Sequence, residues 1–139
     1  YVREVTAKYI GPRRKGLFIS GPADVAAFMR GLLKDEAREH FIALYLNGSH
    51  RVISFSVVSI GSANSAPVHP REVYQPALIV GACGIVIGHC HPSGELNLSE
   101  GDKDVTKRLR EAGKIVGVPL LDHVVFSESS YVSFQEQGL

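Results

Sequence analysis

Cysteine is scarce in this chain. Cys83 and Cys90 are its only two, too few to read as a disulfide framework. Long hydrophobic runs are missing too: none approaches the roughly 18 residues that a bilayer-spanning helix needs. Neither sign of charge dominates. Fifteen Lys and Arg against 14 Asp and Glu give a net charge of +1, so no strong field favours nucleic acid or an acidic membrane. Charges scattered through residues 1–10 do not read as a secretory signal. There is no internal repeat and no low-complexity stretch. These absences leave a soluble protein of a reducing compartment, with the cytoplasm as the expected location.

What is present suits one folded domain. The 139 residues are 45% hydrophobic, enough for a core without covalent staples. The one local charge cluster is Arg13, Arg14 and Lys15, in a loop flanked by glycine and proline. Such runs are usually solvated loop tips. Residues 1–19 read as an N-terminal strand or arm, over 2–10, followed by this basic loop. Residues 20–139 read as the domain.

Hydrophobic spacing places the elements. Pro22 sits where a helix can start without losing a hydrogen bond, and Val25, Phe28, Met29, Leu32 and Leu33 form one helical face. Residues 39–46 alternate with apolar side chains on both faces, which predicts a central strand. Asn47-Gly48 predicts a hairpin into a strand over 51–60, and 61–67 reads as a loop of small residues that could let an extended peptide approach or equally be only a connector. The spacing predicts a helix over 70–81 with Val73, Ala77, Leu78 and Val80 buried. A short buried strand follows over 84–88. A helix over 99–116 buries Val105, Leu109, Ala112 and Val116. Strands over 120–126 and 131–134 close the chain. A hairpin mixed with crossover helices predicts an α/β fold, a mixed central sheet sandwiched by helices.

The buried strand leads directly into His89-Cys90-His91, then seven residues, then Ser99-x-x-Asp102. In extended chain, His89 and His91 point the same way and Cys90 the other. Ser99 is a good helix N-cap, and Asp102 suits the positive end of that helix. Asp102 also precedes Val105 and Leu109 by three and seven positions, so it shares their inward face. A carboxylate there needs a compensating charge. A zinc ion held by His89, His91 and Asp102, with one position open, would provide it. Such a site needs a base that is not a ligand. Glu36, Glu39 and Glu72 are candidates, and Glu39 is best placed because it opens the central strand. Asp122-His123 could steady a ligand or be a polar pair fixing the sheet end. His69 could line the cleft or simply pack a turn.

Taken together, an upstream Glu, His-x-His, seven residues and Ser-x-x-Asp resemble the JAMM motif of the JAB/MPN metallopeptidase superfamily. His91-Pro92-Ser93-Gly94, Val68-His69-Pro70-Arg71-Glu72-Val73, Leu120-Leu121-Asp122-His123-Val124-Val125 and Tyr131-Val132-Ser133-Phe134 resemble its bacterial RadC branch. The resemblance covers about residue 20 to the C-terminus. It implies a cytidine-deaminase-like sandwich. It implies one zinc per chain on His89, His91 and Asp102, Glu39 as general base, and Ser99 helping to stabilise an oxyanion. The implied activity is hydrolysis of a peptide or isopeptide bond in a peptide or protein substrate.

Two features depart from the branch. Cys90 stands where RadC-like proteins usually have Asn; its thiol could be an extra ligand or an oxidation site, or, on the simplest account, a small apolar side chain packed behind the site. Residues 1–15 hold no Gly-rich hairpin like the upstream helix-hairpin-helix region of full-length RadC-like proteins, so nucleic acid is not an expected partner of this chain alone. The rival readings are a non-catalytic JAB/MPN binding module and a DNA-repair-associated accessory protein.

Overall fold

A computed structural model describes residues 1–6, 8–33, 38–60 and 68–139. Its elements run α1 (Pro22–Leu32), β1 (His40–Leu46), β2 (Val52–Ile60), α2 (Pro70–Ile79), β3 (Gly84–Cys90), α3 (Glu100–Val116), β4 (Leu120–Phe126) and β5 (Tyr131–Ser133). The five strands form one mixed sheet in the order β2-β1-β3-β4-β5. β1 pairs antiparallel with β2 and β3, β3 runs parallel to β4 through the α3 crossover, and β5 pairs antiparallel with β4.

Every residue of β1 and of β3 is buried, as expected for strands covered on both faces. On one face Phe41, Ala43, Tyr45, Ile85 and Ile87 pack with Val73 and Ala77 of α2 and with Val105 and Leu109 of α3. On the other, Ile42, Leu44, Val86, Val124 and Phe126 pack with Val25, Ala26 and Met29 of α1. Helices therefore cover both faces of a mixed sheet, the predicted α/β architecture.

Several local expectations need correction. Residues 2–6 and 8–10 form no strand and are exposed, so the segment is an arm. In α2 the buried side is Val73, Tyr74 and Ala77, while Leu78 is exposed. The Tyr74 hydroxyl donates to the Leu109 carbonyl of α3 at 2.8 Å, and that partnership turns the helix. Val116, at the last position of α3, is also exposed. The hairpin forms, but not through Gly48: the Asn47 side chain accepts from the Ser49 and Arg51 amides, and His50 takes the left-handed conformation. Arg14 of the basic loop lies over the Phe55 ring of β2, 5.8 Å from its centroid. Glu36 and the 61–67 loop lie outside the described residues.

Candidate metal centre

Register brings the predicted residues together. Phe41 pairs with His89 across the antiparallel β1–β3 ladder. Glu39, two residues earlier on β1's approach, therefore arrives beside the end of β3 where His89 and His91 emerge. Asp102 comes from the first turn of α3, the helix that leaves β3 and crosses back to β4.

Ser99 caps α3. Its hydroxyl oxygen accepts the Asp102 amide at 3.0 Å, while Asp102 Oδ2 accepts the Ser99 amide at 3.1 Å. This reciprocal box fixes the Asp102 side chain and leaves the Ser99 hydroxyl proton unused by the cap. Asp102 is completely buried, as its place on the inward face required. Its Oδ1 lies 3.0 Å from His89 Nδ1. Burial works against the Asp102 charge, but the His89 and Ser99 hydrogen bonds and the nearby imidazoles outweigh it and hold the carboxyl well below the usual carboxylate range.

His91 is oriented by its own loop. Its Nδ1 lies 2.9 Å from the Glu95 carbonyl. A carbonyl only accepts, so Nδ1 carries the proton and a neutral His91 presents a bare Nε2. Gly94 makes the return possible with φ +83, a conformation that side chains resist. That Nε2 sits 3.3 Å from His89 Nδ1 and 4.0 Å from Asp102 Oδ2.

On its other side, His89 Nε2 faces Glu39 Oε2 at 3.7 Å. Both atoms are buried without a hydrogen-bond partner. One ligand atom each from Glu39, His89 and His91 lie within 4.8 Å of one another. The donor set is thus two imidazoles and two carboxylates, the nitrogen and oxygen chemistry that suits zinc. The 3.3 Å between the two ring nitrogens matches the roughly 3.3 Å edge of a tetrahedron built on zinc–nitrogen bonds of about 2.0 Å. The residues present fit a metal ion. Burial is graded: Asp102 and His89 form the floor, while the His91 and Glu39 side chains are 14% and 34% exposed.

The other singled-out residues fall elsewhere. Glu72 is exposed in the first turn of α2, outside this group. His69 is the N-cap of α2, its Nδ1 accepting the Arg71 amide at 3.1 Å. Cys90 faces the α1 side of the sheet. Asp122 and His123 do not pair through their side chains. Asp122 accepts from the Ser133 hydroxyl at 2.5 Å, the Gln135 amide at 3.0 Å and the His123 backbone amide at 2.8 Å. The His123 ring points to the opposite face, toward Thr106 of α3. Burial pushes His123 down to about 3, against the pull of Asp102 and with the help of His89 and His91. No signal within either segment could have linked Thr106 to His123.

Comparison with known proteins adds a family. The model of the family described as RadC-like JAB domain matches residues 19–139. The UPF0758 protein of Rubrobacter xylanophilus is 44% identical over 121 residues, 87% of this chain and 53% of the relative. That of Chlorobium chlorochromatii is 40% identical over 121 residues, 87% of this chain and 54% of the relative. That of Methanosarcina mazei is 40% identical over 127 residues, 91% of this chain and 54% of the relative. The chain spans about half the length of these curated relatives. Among the described residues, no helix is long and apolar enough to cross a membrane.

Proposed function

The chain belongs to the RadC-like JAB domain family, and from that premise we propose that it is a zinc-dependent hydrolase of peptide or isopeptide bonds. The observation that carries this reading is the convergence of His89, His91, Asp102 and Glu39, with His89 Nδ1 3.0 Å from Asp102 Oδ1 and 3.3 Å from His91 Nε2.

His89, His91 and Asp102 would hold the ion. Asp102 is preferred to Glu39 as the third ligand on physical grounds. It is wholly buried and locked by the helix cap, so it can neither exchange with water nor swing. Glu39 is partly exposed at the rim, where a base must meet water and substrate. Bound zinc supplies a Lewis acid that acidifies water and polarises a carbonyl. Glu39 takes the proton of the attacking water on its carboxylate and returns it to the departing amine. The Ser99 hydroxyl donates toward the oxygen that gains charge. The His91–Glu95 bond keeps the imidazole from rotating as these charges shift.

The test is metal content and hydrolysis together. Purified wild-type protein should hold about one zinc per chain and cleave at least one member of a panel of unmodified peptides and lysine-linked isopeptides. A chelator should abolish the cleavage and added zinc restore it. Zinc without any cleavage across such a panel would point to a binding module. No zinc after incubation with the ion would overturn the metal reading.

A further inference from the structure

His123 is completely buried on β4 and takes no part in the reaction proposed above. It pairs with Ile87 in the parallel β3–β4 ladder, two positions from the His89–Val125 pair, so its ring lies under α3 on the same face as His89. Phe134 stacks on it with centroids 4.5 Å apart, and Phe41 meets its edge at 5.8 Å. Thr106 Oγ1 is 2.7 Å from His123 Nδ1 and 2.7 Å from the Asp102 carbonyl. The carbonyl can only accept, so it receives the single Thr106 proton. His123 Nδ1 must then donate to Thr106. Its Nε2 is left buried with no partner.

An aromatic hydrocarbon would fill this slot without that unsatisfied nitrogen, whose burial without a partner is unfavourable. The imidazole does one thing a phenyl ring cannot: it holds Thr106. Val105 and Leu109 set the distance of α3 from the sheet, but apolar contacts tolerate sliding along the helix axis. The chain from His123 through Thr106 to the Asp102 backbone fixes that axial position. We propose that His123 is a positioning residue for the metal centre, clamping the first turn of α3 through Thr106 so that the Asp102 carboxylate meets His89.

This inference rests on the metal reading above, and one set of zinc titrations separates the two. Zinc affinity is measured by competition with a chromophoric chelator for wild type, His123→Phe, Thr106→Val, the double variant and His123→Asn. Stability is measured alongside on metal-free protein. His123→Phe and Thr106→Val should each weaken zinc binding 10- to 100-fold, the range for residues that orient ligands. The double variant should be no worse than either, because both break one chain. His123→Asn, whose amide can donate near the Nδ1 position, should recover most of the affinity. Metal-free His123→Phe should be at least as stable as wild type, which a merely structural histidine would not allow. Should His123→Phe fail to fold, the milder Thr106→Val still decides. Unchanged zinc affinity, or additive losses in the double variant, overturns the clamp and leaves the metal reading intact. Wild-type protein that binds no zinc overturns both.

Discussion

Glu39 Oε2 and His89 Nε2 face each other at 3.7 Å, both buried and neither hydrogen bonded. The pair divides the labour of the site: His89 belongs to the buried floor, and Glu39 to the solvent-facing rim. Glu39→Gln removes the base but keeps the size of the side chain. Zinc content should stay near one per chain, while turnover should fall by about 10²–10⁴-fold, the usual worth of a general base. Loss of zinc in this variant would make Glu39 a ligand rather than the base. Unchanged turnover would remove it from the reaction.

Much of this arrangement was legible because single residues answered to two constraints at once. Ser99 and Asp102 satisfy a helix start, and Asp102 also keeps the period of Val105 and Leu109, so a cap and an inward carboxylate could be read from one pattern. β1 was legible because both faces are apolar. Contacts between distant elements were not. Tyr74 turns inward for a carbonyl 35 residues away, and His123 meets a threonine 17 residues before it. Helical periodicity describes one helix against an unspecified core and says nothing of which partner offers a polar atom.

Asp102 serves the cap and the metal together, and two substitutions separate those roles. Asp102→Asn keeps an acceptor for the Ser99 amide but loses the charge. Asp102→Ala loses both. In chelator, the alanine variant should be the less stable of the two by about 1 kcal/mol, the typical worth of a cap interaction. Zinc should raise the melting temperature of wild type and of neither variant, since an ion that binds only the folded state stabilises by mass action. A zinc-induced rise in Asp102→Ala equal to that in wild type would exclude Asp102 as a ligand.

Stability should decline as the medium is acidified. In the unfolded chain His123 takes up a proton near its ordinary value of 6.5, whereas in the fold burial delays this to about 3. Between those values the unfolded state binds the extra proton, so folding loses up to about 1.4 kcal/mol per pH unit from this residue. Above 6.5 its contribution is complete. Asp102, whose carboxyl is held low in the fold, adds a loss in the same direction once the pH falls below the unfolded carboxylate value of about 3.9. Urea midpoints of metal-free protein should therefore fall from pH 7 to pH 4. The His123→Phe variant should show a shallower fall over that range. Identical slopes would mean that His123 titrates freely in the fold.

Gly113 sits in the interior of α3, where alanine would ordinarily add about 1 kcal/mol of helix stability. Here the sign should reverse. A Cβ on Gly113 would collide with the Tyr74 hydroxyl and stand 2.6 Å from the Val118 carbonyl and 3.3 Å from the Leu120 amide. The hydroxyl cannot retreat without giving up its 2.8 Å bond to Leu109. The Val118 carbonyl cannot move without shifting the turn into β4, because the Gly117 and Val118 amides both bond to the Gly113 carbonyl at 3.0 Å. Overpacking against backbone costs about 1–3 kcal/mol, more than the helix gains. Gly113→Ala should thus lower the urea midpoint of metal-free protein. It should leave zinc content unchanged, because Asp102 lies three turns away at the opposite end of the helix. A stabilised variant would show that α3 has room to move off β4, and that apolar packing alone does not hold its C-terminal half in place.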